Sequence, residues 1–320
     1  MKIALITPAA AGSRSGNRQT ATRWATFFRA AGERVTLLNA WSGQPADLLL
    51  ALHARRSHAS IRAFRVAHPD RPLLLALTGT DVYRDIHEDA LAQASLTMAD
   101  RFIVLQPGAI EELPRRLRPL ASVVYQSCGS LRQWSPVRQG FRFSVIGHLR
   151  DEKDPLRAGR ALAHVPVAAG VRIVQLGASL DATLGAEARA LQARDPRYRW
   201  LESVPHARAL AWLASSHAMV ISSRMEGGAN VVSEAIRIGV PVLASHISGN
   251  IGLLGRDYPG YFRTGDERAL AGLMVRAATD RRFLASLRRR ILALQTRVEP
   301  KNEARMLRDA VTATARLGSP

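Results

Sequence analysis

Two glutamates in one short stretch of the chain have the type and spacing to accept hydrogen bonds from a single ligand. Glu226 and Glu234 lie eight positions apart in RMEGGANVVSEAIRIGVPVLAS, residues 224–245. The first stands before a Gly-Gly pair, and the second falls inside a predicted helix. Because helical side chains lean toward the helix N-terminus, Glu234 should point back at the same ligand that Glu226 approaches from the loop. Two carboxylates in this arrangement can accept hydrogen bonds from hydroxyls at two ends of one molecule.

The helix start between the two glutamates suits the phosphates of such a molecule. Glycines have no Cβ, so the backbone there can approach a ligand closely. A helix N-terminus presents backbone N–H groups and the positive end of its dipole, which attract phosphate. The residues expected to supply this anion site are Gly228, Ala229, Asn230 and Val231. The whole stretch therefore suits a sugar–diphosphate–ribose ligand, whereas Glu-x7-Glu alone would be compatible with two solvated side chains.

A second loop offers cations for the same phosphates. The segment FSVIGHLRDEKDPLRAGRAL, residues 143–162, is expected to form a strand, a turn at Gly147, a charged loop and a helix. Arg150 and Lys153 follow the strand end, where ligands of parallel sheets bind. A guanidinium and an ammonium are both common diphosphate ligands. The alternative is a solvated helix start in which neighbouring acidic residues neutralise the pair.

The elements that must position these loops alternate between apolar strands and helix-length segments. This order predicts parallel sheets covered by helices on both faces, an α/β doubly wound fold. Pro and Gly interrupt the pattern at RQWSPVRQG, residues 132–140, which divides the chain into domains 1–135 and 141–300. Residues 301–320 are expected to form a helix that packs back toward the N-terminal domain. The expected strands are 2–8, 34–40, 46–52, 72–78, 101–106, 122–127, 141–147, 171–177, 217–223 and 240–245.

Composition narrows the classes of function. The chain has 320 residues and a formal charge of +19, but its basic residues are almost all arginines spread along the sequence, which does not indicate a nucleic-acid site. A positive field can instead attract small anionic substrates. No apolar run is long enough for a membrane span, and no export signal is visible, so a cytoplasmic enzyme is expected. The single cysteine, Cys128, is expected to be a structural thiol.

The two loops together resemble a known donor site. GHLRDEK followed by EGGANVVSEAIRIGVPVLAS is similar to the motifs of GT-B glycosyltransferases of the retaining family-4 type. The resemblance implies two Rossmann-like domains facing across a cleft. It further implies that Lys153 and Arg150 bind the diphosphate; His148 stands where relatives often have Arg. By the same resemblance, Glu226 contacts the sugar and Glu234 binds the ribose. No metal or other cofactor is implied, because cations and helix dipoles neutralise the diphosphate in such enzymes.

The N-terminal half resembles one branch of these enzymes. GNRQTATRWA, LLALHARRSHASI, LALTGTDVYRDI and FIVLQPGAIEELP are similar to segments of glycosyltransferases that make selenosugars in selenoneine biosynthesis. This resemblance implies a UDP-sugar donor, typically UDP-N-acetylglucosamine, and selenophosphate as the acceptor. The alternative within the same fold is transfer to a hydroxyl of a cell-envelope glycan or lipid. A non-catalytic binding protein for nucleotide sugars or nucleic acid is the third possibility.

Acceptor-side residues are expected after two strands of the N-terminal domain. One group opens the first helix and could bind an anion at its N-terminus. The other follows the strand that ends at TGTD, where relatives often have His in place of Thr78. His53 is either a histidine at the edge of the core or an acceptor-side group. The group at the first helix is Gly16, Asn17 and Arg18, and the group after the strand is Thr80, Asp81 and Arg84. The arginines of both groups could also be simply solvated.

Overall fold

The computed structural model describes residues 1–10, 12, 15–129 and 132–317, and it divides into two compact units. Unit 1 comprises Met1–Gln126 and Pro300–Pro320, and unit 2 comprises Ser127–Glu299. The second unit therefore begins before residue 135. The Pro- and Gly-containing segment that suggested a linker is bound to unit 2 instead, because the amide of Ser135 donates to the carbonyl of Ala214 at 2.8 Å. Trp134 Nε1 likewise donates to the carbonyl of Ser216 at 2.8 Å.

Strands and helices alternate along the described residues. The strands are β1 (Lys2–Ile6), β2 (Arg34–Leu38), β3 (Leu48–Leu52), β4 (Leu73–Leu77), β5 (Arg101–Val104), β6 (Ala121–Val123), β7 (Phe141–Ile146), β8 (Val171–Leu176), β9 (Tyr198–Trp200), β10 (Ala218–Ile221), β11 (Val242–Ser245) and β12 (Tyr261–Phe262). The α-helices are α1 (Gly16–Ala30), α2 (His58–Ala67), α3 (Ile86–Glu88), α4 (Ala90–Met98), α5 (Arg157–Ala161), α6 (Ala182–Arg194), α7 (His206–Ala214), α8 (Asn230–Ile238), α9 (Ser248–Leu254), α10 (Glu267–Thr279), α11 (Arg281–Leu292) and α12 (Pro300–Ala315). A π-helical turn covers Asp81–Asp85, and short 3₁₀ turns include Asp151–Lys153.

Unit 1 is a parallel sheet in the order β2-β1-β3-β4-β5-β6. Successive side chains of a strand point to opposite faces of the sheet, so both faces need cover. Accordingly, Ile3 and Leu5 pack in one cluster with Trp24 of α1 and residues of α12. Ala4 packs in the other cluster with Phe64 of α2. The central strands β3 and β4 are thus fully buried between two helical layers, whereas the edge strands β2 and β6 are partly exposed.

The C-terminal helix α12 is fastened to α1 by a buried carboxylate. Glu303 is fully buried and accepts hydrogen bonds from Trp24 Nε1 at 2.7 Å and from Arg23 Nε at 2.7 Å. Leu307 and Val311 of the same helix pack in the core cluster of unit 1. The end of the chain therefore belongs to the first unit, although residues 318–320 of the segment expected to be helical lie outside the described residues.

Unit 2 is a second parallel sheet, in the order β12-β11-β10-β7-β8-β9. The strands β9 and β12 at its edges have only three and two residues, too short for a recognisable pattern in the sequence.

The fold class predicted from the sequence, two doubly wound Rossmann-like domains, is confirmed. Among the described residues no helix is both long and apolar enough to span a membrane.

Candidate functional site

The two loops singled out in the sequence follow neighbouring strands of unit 2. β7 and β10 pair in parallel, with Phe143 opposite Ala218, so the loops at their carboxyl ends lie side by side. Lys153 ends the 3₁₀ turn after β7, and Asp154 follows it in the left-handed conformation with φ 42°. Ser222 Oγ donates to the carbonyl of Asp154 at 2.8 Å, which fastens one loop to the end of the other strand.

A lysine–glutamate ion pair forms the centre of this site. Lys153 Nζ donates to Glu226 Oε1, and Ser223 Oγ donates to the same oxygen at 2.6 Å. The Glu226 side chain is 7% exposed, whereas that of Lys153 is 23% exposed, so the cation is the partner that solvent or a ligand can reach. Both residues line a pocket together with Gly147 and Val231. The site is therefore a small, mainly apolar pocket in which Lys153 is an accessible cation.

Helix α8 begins beside this pocket. Its N-cap residue is Ala229, whose side chain has no oxygen that could accept a hydrogen bond from the first turn. Val231 of that turn lines the pocket. The helix ends at Gly239, whose φ of 86° suits a residue without a Cβ. The strand, Gly-Gly loop, helix and Gly stop expected from the sequence are all present.

Glu234 lies further along α8 and has a different partner. It is buried, and its Oε1 atom lies 2.7 Å from Nε2 of His206, the first residue of α7. The hydrogen bond to Glu234 raises the pKa of His206 above its ordinary value. The structure thus places Glu226 at the pocket with Lys153, and Glu234, in the middle of α8, beside the first residue of α7.

Arg150 lies outside the group of residues that line the pocket. Its side chain is exposed, while His148 Nδ1 accepts a hydrogen bond from the amide of Ala178 at 3.1 Å. Asp151 pairs with Arg224 at 3.0 Å rather than with Lys153. The alternative in which adjacent acids neutralise Lys153 therefore does not describe this loop, because the carboxylate that pairs with Lys153 comes from Glu226.

Two glycines that sequence reasoning missed allow the loops to pack. A Cβ on Gly177 would lie 1.9 Å from the carbonyl oxygen of Gly147. A Cβ on Gly249, in α9, would lie 2.0 Å from the carbonyl oxygen of Glu226. Neither glycine belongs to a motif, and their partners are distant in sequence, so only the three-dimensional packing identifies them. Ser223 was also missed, although it stands only three residues before its partner Glu226.

The first acceptor-side group in unit 1 opens α1 as expected. Ser15 is the N-cap, and its Oγ accepts a hydrogen bond from the amide of Arg18 at 3.3 Å. Gly16 and Asn17 form the start of the helix, and the side chain of Arg18 is half-buried. Ser13 and Arg14 of the preceding loop lie outside the described residues.

The second acceptor-side group is organised around Asp81. This residue is fully buried, and its carboxylate accepts hydrogen bonds from the amides of Thr78, Gly79 and Ala54 at 2.7–3.2 Å. The expectation that Asp81 contacts sugar or acceptor directly does not match this position, because its oxygens hold the loop backbone. Thr80 remains partly exposed in that loop.

His53 lies beside this loop in a strained backbone conformation. Its φ is 75°, uncommon for a residue other than glycine. Nε2 lies 3.5 Å from Thr80 Oγ1 and 3.9 Å from Asp85 Oδ2. Burial lowers the pKa of His53, although Asp81 and Asp85 raise it in part. Arg84, 44% exposed, pairs with Asp85 at 3.1 Å, so this guanidinium is anchored at one end and open to solvent at the other.

Comparisons with known proteins agree with this fold. Residues 133–291 match the family of glycosyl transferases, group 1. Anabaena HepE, solved in complex with UDP-glucose, superposes with a TM-score of 0.78 at 18% identity and covers 98% of this chain and 100% of its own. Sucrose-phosphate synthase from Thermosynechococcus elongatus gives 0.76 at 16% identity, covering 98% of each chain. The lipopolysaccharide outer core galactosyltransferase WaaB gives 0.71 at 15% identity, covering 98% of this chain and 99% of that one.

The protein therefore has the GT-B fold. Residues 133–291, which lie in its second unit, are similar to the glycosyl transferases of group 1. The residues of that unit that line the pocket, including Gly147, Lys153, Glu226 and Val231, lie inside the matched segment. Within the described ranges, no cluster of three or more His, Cys, Asp or Glu side chains has an arrangement that could hold a metal ion.

Proposed function

We propose that the protein is a cytoplasmic glycosyltransferase that uses a UDP-sugar donor. The observation that carries this proposal is the pocket that Lys153, Glu226 and the first turn of α8 line together. The family match of the same segment and the UDP-glucose complex of a protein with the same fold support it. A single cation beside a helix N-terminus is a combination suited to a diphosphate.

The donor site works by electrostatics in this proposal. The diphosphate lies at the start of α8 and replaces Glu226 as the ion-pair partner of the Lys153 ammonium. The Glu226 carboxylate then accepts a hydrogen bond from a sugar hydroxyl. Negative charge on the departing UDP grows as the bond to the anomeric carbon breaks. A fixed cation and helix dipole stabilise that charge more in the transition state than in the ground state. No metal or cofactor is required for this step.

Gly249→Ala is expected to weaken donor binding without touching the pocket directly. The new Cβ would lie 2.0 Å from the carbonyl oxygen of Glu226, so the loop carrying Glu226 must move. We expect a loss of UDP affinity of about tenfold or more, since mutations that shift a supporting residue typically cost 10–100-fold. Gly272→Ala is the matched control, because a Cβ there meets nothing within 4 Å in the middle of α10. Calorimetric titration with UDP checks both variants; equal affinities would show that the Glu226 loop is not part of the site.

We further propose that the acceptor is selenophosphate and the sugar N-acetylglucosamine. The four N-terminal segments that resemble selenosugar-forming enzymes support this choice. Selenium attacks the anomeric carbon, a C–Se bond forms, and the C–O bond to UDP breaks, with UDP leaving with the bonding electron pair. The product of this step carries the phosphoryl group on selenium. A small anion of this kind needs cations and backbone amides near the anomeric carbon, and α1 with Arg18 offers both.

Arg18→Ala tests the acceptor assignment. We expect a higher KM for selenophosphate with nearly unchanged affinity for the UDP-sugar, because a half-buried arginine at the start of α1 contributes attraction to one anion only. The difference from wild type should shrink at high salt, which screens the attraction. Steady-state kinetics with each substrate varied in turn measure this. Should Arg18→Ala raise the KM of the donor instead, the acceptor anion must be sought near Thr80 and Arg84.

Release of UDP from UDP-N-acetylglucosamine is the experiment that tests the proposed function. UDP should accumulate when selenophosphate is added. It should not accumulate when phosphate, or buffer alone, replaces selenophosphate. UDP release that depends on a glycan or lipid hydroxyl instead would support the alternative acceptor class. UDP-sugar binding without release in the presence of either acceptor would show a binding protein.

A further inference from the structure

His206 and Glu234 form a pair that neither the family motifs nor the pocket explains. His206 is the first residue of α7, and its side chain is 57% exposed, whereas the Glu234 side chain is 11% exposed. Nε2 of the histidine lies 2.7 Å from Oε1 of the glutamate. The two residues belong to neighbouring helices of the same unit, so the contact is fixed within unit 2.

We propose that His206 is a positioning residue of the nucleotide site. It holds Oε1 of Glu234, and so presents the other carboxylate oxygen to the ribose hydroxyls of the donor. This inference rests on the proposed function and on the role of ribose ligand that the resemblance to family-4 glycosyltransferases implies for Glu234. His206 acts through Glu234 and is not proposed to touch the reacting atoms.

The geometry gives a reason for this role. A glutamate side chain has three rotatable torsions, and ordering such a chain on ligand binding costs free energy. Glu234 is already held at one oxygen by a charge-assisted hydrogen bond of ordinary length. A carboxylate has about four lone-pair sites, so one bond to His206 leaves the second oxygen available for hydroxyl donors. Pre-ordering therefore favours binding of any ligand that carries the ribose.

The charge of His206 adds a dependence on pH. Glu234 faces it from α8, and the bond to this carboxylate raises the pKa of His206. The other charged groups nearby in sequence are directed elsewhere: Arg208 of α7 is exposed, and Glu202 of the preceding loop lies 4.0 Å from Arg189. Because the pKa is raised, the imidazolium–carboxylate pair is complete below the ordinary histidine pKa and is lost as the pH rises through the raised value. Donor affinity should fall over the same range.

The test compares His206→Ala and His206→Gln with His164→Ala, an exposed histidine of the same unit, as the control. UDP-N-acetylglucosamine is the probe, since its diphosphate has no terminal phosphate that titrates near neutral pH. We expect His206→Ala to raise Kd and KM at least about threefold below the raised pKa, with kcat nearly unchanged, because ribose contacts are the same in ground and transition states. His206→Gln, which can still donate to Glu234, should recover most of the affinity but lose the pH dependence. Glu234→Ala should show the larger loss and no further effect of removing His206.

Binding of inorganic pyrophosphate separates positioning from a general structural effect. Pyrophosphate has no ribose, so its affinity should be the same in wild type and His206→Ala. Equal loss for pyrophosphate and UDP-sugar, or wild-type affinity and pH profile in both His206 variants, would overturn the inference. If wild type itself binds no UDP-sugar, the proposed function fails, and that result is distinct from failure of the His206 inference.

Discussion

Lys153→Ala is expected to lower kcat by about 10²-fold or more while changing donor affinity much less. Removing one preorganised group that stabilises charge in a transition state typically has this effect. Lys153 is the cation that lines the pocket, and its partner Glu226 lies beside the start of α8. The negative charge that it stabilises is greatest when UDP leaves, so turnover should suffer more than binding.

Matched variants make the Lys153 result interpretable. Lys2→Ala removes an exposed lysine of β1 in the other unit and should leave kcat unchanged. Arg150→Ala should have a smaller effect than Lys153→Ala, because the Arg150 side chain is exposed and does not line the pocket. Single-turnover kinetics with saturating donor give the chemical step directly. Full kcat in Lys153→Ala would mean that the lysine is a surface charge paired with Glu226 and has no catalytic role.

Glu303→Ala is expected to destabilise unit 1 by about 3 kcal/mol or more. Breaking a buried ion pair by removing one partner typically costs about 3–5 kcal/mol, because the other charge is left without compensation. Glu303 is fully buried, while the Arg23 side chain is 20% exposed and can be partly solvated, which favours the lower end of that range. Trp24 Nε1 would also lose its acceptor.

The control for Glu303 lies on the same helix. Asp309 of α12 pairs with Arg305 at 3.4 Å, with a side chain that is 63% exposed, so Asp309→Ala should change the free energy of unfolding by less than about 1 kcal/mol. Urea unfolding followed by tryptophan fluorescence measures both variants. If the two substitutions had equal and small effects, the buried cluster would not be what fastens α12 to α1.

Much of the fold could be predicted because its strands carry their own signal. Runs such as LLLAL are buried on both faces in β3 and β4, and such runs can hardly form anything else at that length. The edge strands β9 and β12 could not be found, since two or three residues show no periodicity. The earlier start of unit 2 was missed because Pro and Gly near Trp134 resemble a linker, whereas long-range hydrogen bonds decide where that segment lies.

The candidate site was predictable where a motif places residues close in sequence, and not where packing does. Glu226 and the start of α8 follow from one stretch of chain, and Lys153 from one loop. The partner of Glu234 could not be foreseen, because His206 lies 28 positions away on another helix. Asp81 shows the opposite failure: the sequence places it after a strand, but its carboxylate accepts hydrogen bonds from the amides of Thr78 and Gly79 and is buried.

Identification of the reaction product tests the proposed C–Se bond most directly. The enzyme is incubated with selenophosphate and UDP-N-acetylglucosamine labelled with carbon-13 at the anomeric position, and the sugar product is examined by mass spectrometry and selenium NMR. We predict a sugar with the isotope pattern of selenium and a one-bond coupling between selenium and the labelled carbon, formed in step with UDP. Release of UDP with only free N-acetylglucosamine or an oxygen-linked product, and no coupling to selenium, would contradict transfer to selenophosphate.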